Sequence, residues 1–375
     1  MSNKLKSLFV FLMTTALAFG FLHQFFGHVS LNFDRLHIFL FNLCSGGTIV
    51  LYYTEGLKHL SLKASAFLVI SLCYACFAFF ELYPLAIFCS LILAGIVESI
   101  RIRCFSFFPW DFFDAKAPIS KKFNQASLLC LSMGLVISSV VIVNNEYLHL
   151  VTIPKLKLDT FFLGFSFPLS LITMSVMFSI MKPARESISV FIRNLCFWTV
   201  NLGVIIFFMF ILLEKLAPQV LVTTLLFACV GTILYIFLNN VDSLQQKTFL
   251  TSGMLFLLYT AISGIAYIIL EFFPMQYEQS SKLLLKIHSF TALYGWNLSG
   301  LAVILRYEDF PIRLHSRRLI LAHWIIVAFL APMGYYYPLF AFLATGGYCL
   351  LLCLLFFTRG KNNINRSPLT QGGNL

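Results

Sequence analysis

Two histidines, His37 and His288, are placed to do chemistry: each opens an apolar stretch of helical length, where a neutral imidazole can act as a metal or heme ligand. The other histidines read differently. His23, His28, His59, His149 and His315 fall in or near polar connections, and His323 sits inside a helix, where structural hydrogen bonding is its expected role. Other signatures are missing from the sequence. It has no H-E-x-x-H, no paired aspartates suited to pyrophosphate and Mg²⁺, and no histidine boxes for a di-iron centre, which argues against the common intramembrane hydrolase and desaturase chemistries. The ten cysteines are scattered, and Cys73-x-x-Cys76 lies within an apolar helix, where thiols pack as small apolar groups. Glu98, Glu146, Glu271 and Glu308 lie at helix ends or in connections, so a proton relay has little to work with. Asn42, Asn201 and Asn297 are expected to make interhelical hydrogen bonds.

The elements that must position these residues are membrane spans. Of 375 residues, 59% are hydrophobic and 11% charged, with a mean hydropathy of +0.88. That is more apolar surface than a soluble core can hide. A spanning helix needs roughly 20 apolar residues. Segments fall near 7–26, 37–54, 64–81, 84–99, 125–143, 161–181, 190–213, 219–238, 249–270, 287–305, 319–334 and 338–357, with 84–99 and 319–334 short. The expectation is an all-α membrane protein of about twelve transmembrane helices. The first segment follows Lys4 and Lys6 as a signal peptide would, but without a clear small-residue cleavage site it is expected to be a retained helix. Residues 1–358 then form a single polytopic domain, and 359–375, rich in Asn, Ser, Pro and Gly, a disordered cytoplasmic tail.

A formal net charge of +11 would suit a nucleic-acid partner if it were gathered on one soluble face. It is instead distributed by side. The N-terminus, the connections Glu55 to Lys63, Arg101 to Lys122, Lys182 to Arg193, Asp242 to Lys247 and Arg306 to Arg318, and the C-terminal tail share one side and carry the basic excess. Positive connections face the cytoplasm, so both termini are expected there, in a multi-pass protein of the bacterial inner membrane. The bilayer is its expected partner, and no nucleic acid is implied.

Duplicated membrane bundles often show themselves by a repeated pattern, and two stretches here share one at a distance of roughly 130 residues. Leu163-Gly164-Phe165, Ser189 and Cys196-Phe197-Trp198 correspond to Tyr294-Gly295-Trp296, Ser316 and His323-Trp324. A third element is Arg35-Leu36-His37, followed by Gly46-Gly47 and Tyr52-Tyr53. With His288, Gly300, Pro311 and the spacing from His315-Ser316 to His323-Trp324, these motifs resemble helices two, ten and eleven of the catalytic subunit of heme-copper oxidases, closest to the C-type high-affinity cytochrome c oxidases. The resemblance covers about 30 to 360 and implies a bundle of three pseudo-repeats of four helices with both termini cytoplasmic.

Ligand by ligand, the resemblance implies a divergent member. The family's copper histidine after the helix-six glycine corresponds to Phe165, and the paired copper histidines of helix seven fall near Met209 and Phe210, so no copper is expected. The family's helix ten carries His-x-His, the first for the oxygen-binding heme and the second for the low-spin heme. Counting back from Gly295-Trp296 puts His288 on the first position and Phe290 on the second; a two-residue slip puts Lys286 and His288 there. His323 occupies a place where the family keeps a histidine that is not a metal ligand. In the expected topology, His37 and His288 both begin helices running from outside to inside and lie at equal depth, as the ligands of one bis-imidazole heme b would. The expected function is therefore a heme-copper-oxidase-like membrane protein without copper, binding heme b through His37 and His288. It would serve electron transfer, heme sensing or a nitric-oxide response, with a cytochrome or other membrane subunits as partners, and would not be an active oxygen or nitric oxide reductase. A cofactor-free small-molecule or lipid transporter, or a membrane assembly factor, is the alternative.

Overall fold

The computed structural model describes residues 1–25, 32–56, 59–153, 162–184, 186–242, 245–306, 314, 316 and 317–358. His28, His315, Pro311 and the tail 359–375 lie outside the described residues. Regular structure among the described residues is helical throughout. In chain order the helices are α1 (Asn3–Phe25); α2, running Phe33–Ile38, Phe39–Gly47 and Thr48–Glu55; α3 (Leu62–Phe79); α4 (Tyr83–Cys104); and α5 (Ile119–Val143, continued by Asn144–Leu148). There follow α6 (Phe162–Ser166 and Phe167–Ile180), α7 (Ser187–Leu212), α8 (Leu216–Asn240) and α9 (Gln245–Leu270). The last three are α10 (Pro274–Phe290, Thr291–Asn297 and Leu298–Leu305), α11 (Arg317–Trp324, Ile325–Leu330 and Ala331–Gly334) and α12 (Pro338–Phe357).

Local sequence accounts for several boundaries. Asn32 caps α2 by accepting from the Arg35 amide, Ser61 caps α3 by accepting from Ala64, and Gly56 ends α2 in the left-handed region at φ 60°. Prolines stand in the first turns of α4, α10 and α12, where a missing N–H costs nothing.

Among the described residues, ten helices are long and apolar enough to cross a membrane. They correspond to the segments expected from the sequence except the sixth and tenth. Gly164–Ile180 of α6 is apolar but shorter than a full span. The first part of α10, with Gln276, Glu278, Ser280, Ser281, Lys282 and Lys286, is too polar to qualify. The expected short span 84–99 is a 22-residue helix.

The centre of the bundle is built from α2, α6 and α10. The spanning window of α2 is 83% buried, against 28% for α7 and 22% for α8, which form a peripheral hairpin. Each of the three central helices widens into a π-helical stretch: Phe39–Gly47, Phe162–Ser166 and Thr291–Asn297. Those of α2 and α6 touch each other, and the last part of α10 packs against both helices. Small residues permit the approach. A Cβ on Gly164 would lie 2.8 Å from the Cα of Gly134 on α5, so the two backbones are in direct contact there. Among the expected asparagines, Asn297 joins α10 to α6 through Ser166 and Ser170, whereas Asn201 bonds the Phe197 carbonyl of its own helix. Asn42 keeps a buried Oδ1 with no partner among the described residues.

Charges at the helix ends are paired or bonded. Nε and Nη2 of Arg101 grip both carboxylate oxygens of Glu98, the shortest contact being 2.6 Å, while its Nη1 reaches the Ser106 carbonyl. Arg306 donates to the carbonyls of Leu355 and Thr358, both at 2.8 Å, and so holds the end of α10 against the end of α12.

Candidate functional site

His37 sits on α2 two residues before its π-stretch and His288 on α10 three residues before its own. Both rings are half-buried. The surroundings of the two rings repeat each other. Nδ1 of His37 lies 2.9 Å from the carbonyl oxygen of Ala16 on α1; Nδ1 of His288 lies 2.9 Å from the carbonyl oxygen of Thr260 on α9. A carbonyl only accepts, so Nδ1 carries the proton in each ring and Nε2 carries the lone pair. One turn further along each neighbouring helix is a glycine under the ring. A Cβ on Gly20 would come 2.7 Å from Nδ1 of His37, and one on Gly264 would come 2.9 Å from Nδ1 of His288. The histidine of one helix thus fastens to the preceding helix twice over, through Ala16-x-x-x-Gly20 and through Thr260-x-x-x-Gly264.

This tautomer is the one a metal takes: a second hydrogen bond to a backbone carbonyl fixes the ring and leaves Nε2 as the coordinating nitrogen. In each ring it is Nδ1 that faces the backbone carbonyl. The pairing of the two positions is another matter. On α10, His288, Thr291 and Gly295 form one stripe against α9, through the Thr260 carbonyl, the Thr260 hydroxyl at 2.8 Å and Phe256. Phe290 and Tyr294 form another stripe, against Phe21 of α1, Phe41 of α2 and Tyr348 of α12. Residues two apart leave an α-helix about 200° apart. His37 belongs to the second stripe, because the Tyr294 hydroxyl lies 2.9 Å from its Nδ1 and the rings are 5.6 Å apart. The two imidazoles thus meet different neighbours, His288 those of α9 and His37 those of α1 together with Tyr294.

Tyr294 also has a third role. Its carbonyl oxygen accepts from Nε2 of His323, at 2.7 Å, on α11. His323 is fully buried between Phe249 and Phe256, as the hydrogen-bonding role expected for it requires, and its Nδ1 has no partner among the described residues. Lys286 lies over the Tyr335 ring at 4.5 Å. Phe165 is buried against Phe39, and Met209 is 45% exposed on α7. His59 and His149 are exposed.

Ala16, Gly20, Thr260 and Gly264 are site residues that motif reading passes over, and Tyr294 is read there only as part of Tyr294-Gly295-Trp296, not as a partner of His37. The signal for four of them is present in the sequence as two small-x-x-x-small pairs, each on the helix before a histidine-bearing one. Beside α2, a cleft of about 60 Å³ lined by Arg35, Tyr74, Tyr83, Ser138 and Glu146 holds room for a few waters only.

The chain matches no protein-family model, no curated protein and no solved structure. What the protein does has therefore to be argued from this geometry and from the motifs.

Proposed function

We propose that the chain is a heme-copper-oxidase-like integral membrane protein without a copper site, which binds heme b through an outer-half histidine for electron transfer, heme sensing or a nitric-oxide response. The observation that carries the reading is the repeated setting of His37 and His288, each with its proton on Nδ1, a carbonyl to receive it and a glycine under the ring. In this reading the chain has about twelve spans in three repeats of four, α1–α4, α5–α8 and α9–α12. The second helix of each repeat carries the motif glycine, Gly46, Gly164 or Gly295, inside its π-stretch. Both termini are cytoplasmic, in a bacterial inner membrane.

The repeats change what the two histidines mean. Each fastens the second helix of its repeat to the first, His37 nine residues before Gly46 and His288 seven before Gly295, so in this reading they play the same part in two repeats and are not two ligands aimed at one centre. Heme is then held by one imidazole at a time, and the register of α10 is the one with His288 on the family's first position and Phe290 on its second. When bound, heme supplies one-electron redox chemistry and a site for a diatomic ligand. The chain's own groups orient the ligand: the Ala16 or Thr260 carbonyl holds the proton on Nδ1, and aromatic side chains exclude water from around it.

The second reading, a cofactor-free transporter or assembly factor, draws on the same contacts: a histidine bonded to the carbonyl of one helix and to Tyr294 of another is also a good interhelical fastener. Quantifying heme in protein purified from heme-replete cells separates the two. About one heme per chain supports the proposal, and none with an adequate supply refutes it.

A further inference from the structure

Two cations are buried at the end of the bundle that carries the basic connections. Lys122, in the first turn of α5, is 1% exposed, and Arg193, in the second turn of α7, is 6% exposed. Neither forms an ion pair among the described residues. Lys122 donates to the Asn194 side chain at 2.6 Å and the Phe112 carbonyl at 3.3 Å. Nη1 of Arg193 donates to the Lys182 carbonyl at 2.9 Å, just beyond α6, and the Lys182 amide bonds Asn240 at the end of α8. The guanidinium therefore lies where two helices present their C-terminal carbonyls, which favours a cation there. Its Nε and Nη2, however, are buried without acceptors.

Nε and Nη2 form the edge of a guanidinium that takes two oxygens of one oxyanion. Arg101 shows that edge in use in this same molecule, closed on the Glu98 carboxylate. Arg193 has the edge and no carboxylate; the nearby Asp242 is engaged by the exposed Lys182 at 2.7 Å. A buried charge left this way is costly. The α7 and α8 spanning windows are the least buried, at 28% and 22%, and Arg193 lies near the start of α7 at the end that carries the basic connections.

We propose that Arg193, with Lys122 bonded to the adjacent Asn194, is a binding site for a phosphate-bearing anion, supplied by the headgroup of an anionic phospholipid. The site is independent of heme binding. The test uses the full chain, purified in non-ionic detergent, with three probes: dioctanoyl phosphatidylglycerol, dioctanoyl phosphatidylcholine and inorganic phosphate. Phosphatidylglycerol should raise the melting temperature of the wild type, Arg193→Gln should weaken its binding on the order of tenfold, and extracted wild-type protein should retain anionic lipid that the variant has lost. Arg193→Lys, which keeps the charge but not the fork, should fall between them and decides the matter if Arg193→Gln does not fold. Inorganic phosphate acting as strongly as the lipid would reassign the site to the free anion. Equal effects of the two lipids, or no effect of any probe, would overturn the proposal and leave buried water as the partner of Arg193.

Discussion

The hydroxyl of Tyr294 lies 2.9 Å from Nδ1 of His37, and the carbonyl of the same tyrosine accepts from His323. One residue in the π-stretch of α10 thus ties the histidine of α2 to the histidine of α11. Tyr294→Phe keeps the ring contacts with Phe41 and Tyr348 and removes only the hydroxyl. It should lower stability by about 0.5–1.5 kcal/mol, read as unfolding in detergent, and leave the His323 bond in place. A loss several times larger would mean that the hydroxyl supports more than His37.

The glycines under the histidines give a second prediction. Gly20→Ala and Gly264→Ala push a methyl into the ring facing each, so the ring tilts away and its bond to Ala16 or Thr260 is lost. Each should cost about 1–3 kcal/mol, and the two losses should add, because the sites share no partner. Unchanged unfolding midpoints in both variants would contradict the cradle.

Legibility differed between the fold and the site for a physical reason. Hydropathy integrates over some twenty residues and marked most of the spans without error in order. At α6 and α10 it marked segments that are not full apolar spans: Gly164–Ile180 is short, and α10 opens on the exposed polar residues Gln276, Glu278 and Lys282. His37 and His288 stood out as imidazoles in apolar sequence, and equal depth suggested one shared ligand site. The direction of each ring depends on which neighbour it packs against, and that contact is long-range: Ala16 for His37 and Thr260 for His288. Lys122 and Arg193 read as ordinary basic anchors, since burial of a charge near a helix end leaves no trace in composition.

Backbone contact between α5 and α6 gives a third prediction. Gly164→Leu has no flexible side chain to displace, only the Gly134 backbone. It should cost at least the ~3 kcal/mol of severe overpacking and sharply reduce the folded yield, whereas Gly231→Ala, with nothing near its Cβ, should be neutral. Equal yields from the two would refute the close approach.

For Glu98, removal of the charge leaves Arg101, 4% exposed, without its carboxylate. Glu98→Gln should therefore destabilise towards the lower end of ~3–5 kcal/mol, since Glu98 itself keeps 31% exposure. A neutral result by the same unfolding assay would show that the Ser106 and Phe107 carbonyls suffice for Arg101.

The central claim, that His37 and His288 are separate single-ligand positions with different neighbours, is tested most directly by the dithionite-reduced absorption spectrum. It should be recorded for the wild type, His37→Ala, His288→Ala and the double variant, all purified from heme-replete cells. The expected result is a reduced heme b Soret band in the wild type that shifts on adding carbon monoxide, as a singly ligated heme requires, a band that persists in at least one single variant, and none in the double. A colourless wild type, a band that survives the double variant, or complete loss in each single variant would contradict it; the last would restore one heme held by both imidazoles.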